Sequence, residues 1–292
     1  MISEKLSALI VRKSPDTSEV IPSQHDCKIP SIPNWIGGRG RHLVSMINNG
    51  KILACGVGSK CLALQNGKWN YHSEFDFHYD DDTLVSMPNG NYLFHCKWKW
   101  LPTGSTTWQK GERTPVACGA EGSCGVQISD NELLLIGGFQ NGRQILKFNT
   151  QTNKFETLTQ KLQQGRIGAA CIKFEDYVIV TGGLELEVEN LLLSTELINL
   201  QTLTSVTNAD MDMKEGRLGH SLVPVHYNNQ KTVLAIGGKG PGPKGINPRY
   251  KDSIEIWHPA NRTWTLASDL KLSASAVYKN TIQIPTHLVC SP

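Results

Sequence analysis

Three aliphatic runs in the chain end in the same way: ELLLIGG at 132–138, DYVIVTGG at 176–183 and KTVLAIGG at 231–238. Each is followed by a polar loop, a second apolar run, and a short turn leading to an aromatic residue or its substitute. Aliphatic and β-branched residues stopped by two glycines predict inner β-strands that leave the core through tight turns. Glycine permits positive φ without a Cβ clash and lets a neighbouring backbone pass closely. Gly137, Gly182 and Gly237 should therefore occupy sites that exclude a side chain. Self-similarity about every 40–55 residues outranks local propensity, because stacking of one recurring unit decides the architecture.

The repeat extends with lower fidelity. KILACG (51–56) and YLFHCK (92–97) occupy the same place, so the anchors are Gly56, Cys96, Gly137, Gly182 and Gly237. Turns then lead to Trp69, Trp108, Phe155 and Trp264, whereas NLQTLT leads only to Ser205 and Val206, leaving the fourth unit without its aromatic plug. Glycine pairs and turn-then-tryptophan together resemble the kelch-repeat β-propellers, in a divergent, stand-alone form. The two ends read as halves of one more unit, SALIVRKSPDTSEVIP (7–22) and SASAVYKNTIQIPT (273–286). Their pairing would close the ring and remove the free sheet edges. The expectation is an all-β, six-bladed kelch-type propeller whose last blade is closed by N- and C-terminal strands. It is one domain over 1–292, with blades near 39–78, 79–118, 119–164, 165–214, 215–270, and 271–292 with 1–38.

Twenty-seven glycines and fourteen prolines suit many short strands and turns, and no stretch approaches the roughly 20 apolar residues of a membrane span. The opening MISEKLSALIVRK has an early glutamate and a brief apolar run, so it reads as a closing strand rather than a secretory leader. Of the eight cysteines, Cys55, Cys96 and Cys171 sit in apolar strands, and none of the eight forms the CxxC pairs of a structural zinc site. Reduced thiols and a cytoplasmic location are expected on this basis, which makes the single sequon Asn261-Arg262-Thr263 a chance match unless the chain is secreted.

In NYHSEFDFHYDDD (70–82), His72, Glu74, Asp76, His78, Asp80 and Asp82 alternate with Tyr71, Phe75, Phe77 and Tyr79. His72 and His78 would lie about 20 Å apart along one strand, so a solvated outer face backed by aromatics is expected there rather than a metal site. GxSxG, HExxH, Walker and strand-borne GxGxxG motifs do not occur, nor does an ExxxDxxxH ligand series. No catalytic residue, metal or cofactor is expected.

Counting back from each anchor places Arg39, Asp80, Glu121, Arg166, Arg217 and Lys271 at equivalent blade lead-ins, with RGRH, RIGA and RLGH fitting the family's Arg-x-x-His/Ala start. The kelch resemblance implies that such arginines line the central mouth and hold acidic peptides, a task suited to a planar, bidentate fork. The alternative is that they brace neighbouring blades through backbone carbonyls. Two longer loops should open on the same face: LELEVEN (184–190) with Glu185, Glu187 and Glu189, and KGPGPKGINPRYK (239–251) with Lys239, Lys244, Arg249 and Lys251. Opposite loop signs and a formal charge of only +3 argue against nucleic acid. The expected function is non-catalytic binding of a protein or acidic peptide by a monomer. The rival class is a carbohydrate-active enzyme, such as a sugar mutarotase or oxidase, built on the same propeller.

Overall fold

The computed structural model describes residues 6–11, 18–21, 44–56, 60–74, 83–115, 122–140, 142–185, 187–241, 249–272 and 281–285. Five antiparallel four-stranded sheets follow one another along the chain. Blade 1 runs from Val44–Asn48 to Lys68–Glu74, and blade 2 from Thr83–Met87 to Gln109–Arg113. Blade 3 runs from Cys124–Gln127 to Lys154–Thr157, and blade 4 from Ala170–Phe174 to Ser205–Thr207. Blade 5 starts at Ser221–Tyr227 and ends at Thr263–Lys271. From blade 1 to blade 5 the first strands of successive blades lie side by side, which is the arrangement of a β-propeller.

Six blades were expected, and the described residues form five four-stranded blades. The remaining strands form a three-stranded sheet in the order Ser18–Ile21, Leu6–Val11, Thr281–Pro285. Both pairings are antiparallel, with Ala8 opposite Ile21 on one side and Gln283 on the other. This sheet touches the first strands of blades 5 and 1, so the two ends of the chain do meet between them. The further strand expected near 274–278 lies outside the described residues.

The core sits between the blades. Glu132–Ile136, the second strand of blade 3, is buried at its last four positions and serves two clusters. Leu133 and Leu135 face Tyr92, Phe94 and Trp98 of blade 2, while Leu134 and Ile136 face Val178 and Val180 of blade 4. Period-two alternation in a strand buried on both faces produces this split. Each fully buried aliphatic side chain stabilises the fold by about 1.5–3 kcal/mol. Blade 4 lacks an aromatic plug, as the sequence predicts, and Met211 and Met213 pack with Leu197, Trp257 and Trp264 between blades 4 and 5. The Trp264 indole N–H donates to Thr195 Oγ1 of blade 4 at 3.1 Å.

The glycine anchors behave as the repeat requires. Gly137, Gly182 and Gly237 have φ of 74°, 57° and 64°. A Cβ at Gly137 would lie 2.5 Å from the Arg166 carbonyl oxygen, and one at Gly182 would lie 2.6 Å from that of Arg217.

Two expectations are corrected. Tyr71 does not belong to an inward aromatic face. A register shift between Cys61 and Leu62 turns Tyr71 outward and buries Ser73 instead. The rest of that motif, 75–82, lies outside the described residues. The cysteines are also not reduced: all five described cysteines are bonded, Cys55 to Cys61, Cys124 to Cys171, and Cys96 in a further disulfide. Cys55 and Cys61 are register partners on adjacent strands, and Cys124 and Cys171 lie on the adjoining first strands of blades 3 and 4.

Candidate functional site

The blade lead-ins and the loops after the glycine pairs come together at one end of the propeller. Backbone hydrogen bonds run from blade to blade there: Gly168 N–H donates to Gly122 O at 2.7 Å, and Gly219 N–H to Gly168 O at 2.8 Å. In blades 3 and 4 the second glycine of the pair donates to the next lead-in, Gly138 to Arg166 O at 3.1 Å and Gly183 to Arg217 O at 2.8 Å.

Arg166 and Arg217 are not available to a ligand in the mouth. Their side chains are 1% and 0% exposed and are occupied internally. Arg166 Nη1 donates to Gly182 O and Ser194 O, and its Nη2 to Ser194 Oγ and to Glu196 Oε1 at 2.7 Å. Arg217 Nη1 donates to Gly237 O and Ser253 O, its Nε to Glu255 Oε1 at 3.0 Å, and its Nη2 to Glu215 Oε2 and Ser253 Oγ. The mouth-binding assignment of these two arginines is therefore corrected, since a guanidinium saturated inside the fold has no fork left for a peptide carboxylate. Their carbonyl partners are not on neighbouring blades, as the alternative had it, but on the same blade, so each arginine ties its lead-in to its own sheet.

Sequence reasoning missed their partners. Glu196 and Glu255 are both fully buried. Besides its arginine, each carboxylate accepts two backbone N–H groups of the lead-in, from Gln163 and Gln164 onto Glu196, and from Lys214 and Glu215 onto Glu255. The signal was a single carboxylate in the third strand, TELIN and SIEIWH, next to its aliphatic residues. It lies opposite the residue two places before the first glycine, Val180 and Ala235 respectively. Burial pulls the Arg166 guanidinium below its ordinary value, and the Glu196 carboxylate opposes that shift. Burial also pushes the Glu215 carboxyl up, yet the hydrogen bond from Ser253 and the charges of Arg217 and Lys251 outweigh it and hold it low.

His220 completes this layer. Its Nε2 lies 2.7 Å from Thr181 Oγ1 of blade 4, and its Nδ1 is buried without a hydrogen-bond partner. Burial, with the charges of Arg217 and Arg166, lowers its pKa from 6.5 to about 3, so the ring is neutral in the fold.

The two longer loops open at this end as expected. Leu184–Glu185 pairs with Asn190–Leu191, and Lys239–Gly240 with Arg249–Tyr250, as two short hairpins. Each hairpin is bridged to its own lead-in, Leu184 to Ile167 and Lys239 to Leu218. Glu185 accepts from Gln164 Nε2 at 2.9 Å, whereas Glu187 and Glu189 are exposed at the tip. Lys239 Nζ lies 5.9 Å from the Tyr250 ring centroid, and Arg249 is exposed. Lys271 is not part of this group's network, for it pairs with Asp252 at 3.0 Å at the end of an outer strand. Arg39, Asp80, Glu121 and Lys244 lie outside the described residues. Among the described residues no three His, Cys, Asp or Glu side chains converge as a metal set.

One further feature was not read from the sequence. Phe139, Val188 and Tyr250 are 58%, 63% and 55% exposed. They come from the loops that follow the glycine pairs of three successive blades, 3, 4 and 5.

No protein-family model matches the chain, and no curated protein does. Among solved structures the chain is similar to YjhT, with a TM-score of 0.64 and 14% identity over 81% of this chain and 85% of that one. At such identity the likeness bears on the fold alone. With 651 solved chains matching, that fold is also too common to identify a function.

Proposed function

We propose that the chain is a divergent kelch-type propeller, its ring closed by strands from both chain ends, and that it binds a protein or peptide through the hairpin face. The observation that carries this reading is the exposure of Phe139, Val188 and Tyr250 on three consecutive loops at one end of the ring. Scattered exposed apolar residues need no explanation, but large ones on the corresponding loop of three successive blades of a rigid frame mark an interaction surface. Charge flanks them in two blocks, Glu185, Glu187 and Glu189 on blade 4 and Lys239 and Arg249 on blade 5. An acidic stretch of the partner would lie against blade 5, and rim charges of this kind govern association rate and salt dependence more than raw affinity. The kelch assignment rests on the glycine pairs, the turn aromatics and the buried Arg–Glu braces at a recurring offset.

The test is affinity capture with the purified chain, comparing the native protein with Phe139→Ser/Val188→Asp/Tyr250→Ser and with an outer-strand control, Leu266→Asp. Partners should be lost with the triple variant and kept with the control. Equal capture by all three chains would refute the assignment of the binding face.

A further inference from the structure

We infer that the chain acquires its disulfides in an oxidising compartment and that Asn261 is an N-glycan acceptor there, on the propeller face opposite the hairpins. The disulfides carry the first half. If cysteine served only as a small buried hydrophobe, it would be placed singly. Instead every described cysteine is bonded, and two complete pairs arise at unrelated places: directly opposed on adjacent strands of blade 1, and across the boundary between blades 3 and 4. Cys55, Cys61 and Cys124 are buried, so these are structural links rather than exposed redox sensors. Each bond forms by exchange with a protein disulfide catalyst. Two thiols lose two protons and two electrons, and the catalyst's disulfide is reduced to a dithiol.

In such a compartment the sequon Asn261-Arg262-Thr263 ceases to be a chance match. Asn261 is exposed in the turn between Ser253–His258 and Thr263–Lys271 of blade 5. The turn is closed by Arg262 N–H donating to His258 O at 2.8 Å, with Arg262 at φ 55°. Arg262 is anchored over the Tyr177 ring, 5.2 Å from its centroid, and the exposed Asn261 accepts a hydrogen bond on its Oδ1 from Thr263 Oγ1 at 2.9 Å, which leaves its carboxamide nitrogen outside that bond. Tyr177 begins the strand that ends at Thr181, just before the glycine pair, so this turn lies at the other end of the propeller from the hairpins. Transfer joins the Asn261 carboxamide nitrogen to the anomeric carbon of a lipid-pyrophosphate-linked oligosaccharide. The C–O bond to pyrophosphate breaks, the lipid pyrophosphate leaves, and one amide proton passes to base. A glycan at this position covers neither Phe139, Val188 nor Tyr250.

The test is secretion of the full chain, with an added leader, from cultured animal cells, followed by peptide maps with and without reduction and with peptide N-glycosidase. The expected result is linked peptides for Cys55–Cys61 and Cys124–Cys171 and conversion of Asn261 to Asp by the glycosidase. The mass loss on deglycosylation should vanish in Asn261→Gln and persist in Thr263→Ser. Should Asn261→Gln fail to fold, Asn261→Asp makes the same comparison. Folded, secreted protein with free thiols at Cys124 and Cys171 overturns the oxidising assignment. Unmodified Asn261 in that protein overturns the acceptor assignment. A chain made in a reducing cytosol with the same melting temperature as the secreted one would overturn the dependence on oxidation.

Discussion

Blades 4 and 5 secure their lead-ins with buried charge, whereas among the described residues the strands of blades 1 to 3 are joined by covalent and apolar contacts. In blades 4 and 5, Glu196 and Glu255 collect an arginine and two backbone N–H groups each. At the matching register positions blades 1 and 3 carry Leu62, opposite Ala54, and Leu146, opposite Leu135. Blade 1 is stapled by Cys55–Cys61, and blades 2 and 3 share a ring cluster in which Phe94 and Phe148 meet edge to face at 5.3 Å. The same sheet geometry is thus reached by two chemistries. Among the described residues, only the two charge-braced blades carry hairpins after their glycine pairs. A lead-in whose N–H groups are already satisfied by a buried carboxylate is a rigid base on which a hairpin can be built without exposing unpaired backbone.

The largest effect should come from breaking one brace. Removing one member of a buried ion pair strands the other and costs about 3–5 kcal/mol. Glu255→Gln or Arg217→Met should each fall in that range by urea denaturation. The double variant Arg217→Met/Glu255→Leu, which imitates the apolar solution of blades 1 and 3, should be less destabilised than the sum, with a coupling of about 0.5–3 kcal/mol. A Glu255→Gln chain within about 1 kcal/mol of the native one would place the pair with surface bridges and dissolve the distinction.

The cystines should sharpen the contrast from the other side. Chain-entropy scaling gives about 4 kcal/mol for Cys124–Cys171, which closes 47 residues, and about 2 kcal/mol for Cys55–Cys61, which closes 6. Paired Cys→Ser variants measured by thermal unfolding should rank in that order. The reverse ranking would mean that native-state packing, not loop length, dominates.

The glycine pairs made the fold legible, because a residue at positive φ with a carbonyl at Cβ distance leaves no alternative to glycine. The arginines were legible as a repeat but not in their role. Whether a guanidinium faces the mouth or the sheet depends on a carboxylate 30 residues from Arg166 and 38 from Arg217, and that pairing appears only once the third strand is in register. The cystines were hidden for the same reason. Cys124 and Cys171 meet across two blades, a contact that exists only in the closed arrangement of first strands. Phe139, Val188 and Tyr250 sit in loops of unequal length, so no fixed spacing connects them.

Acid should separate the two regions more gently. His220 lies between blades 4 and 5 with its folded pKa near 3 and its ordinary value at 6.5. A histidine lowered in the fold contributes stability above pH 6.5, and that contribution is lost as pH falls from 6.5 towards 3. The slope is about 1.4 kcal/mol per pH unit within that window. His220→Gln keeps a polar atom for Thr181 and removes the titration. The difference between native and variant urea stabilities should therefore shrink steadily from pH 6.5 to 4.5 and be flat above 7. A constant difference would show that the ring is already charged in the fold.

The smallest stability effect belongs to the residues proposed to matter most for binding. Val188 is exposed at the tip of its hairpin and Tyr250 on the hairpin strand opposite Lys239, and surface substitutions away from caps, cavities and buried charge usually stay within about 0.5 kcal/mol. Val188→Asp and Tyr250→Ser should therefore melt with the native chain while reducing partner capture. Lys239→Glu should act mainly on association, because its charge lies at the rim beside Tyr250 and is screened beyond about 8–10 Å at physiological salt. Binding measured at two salt concentrations distinguishes the roles. The Lys239→Glu defect should narrow as salt rises, and the Val188→Asp defect should retain a salt-independent part from the lost apolar contact. If Tyr250→Ser unfolds the chain, the hairpin is part of the frame, and blade 5 would then differ from blade 4 in kind as well as in sign of charge.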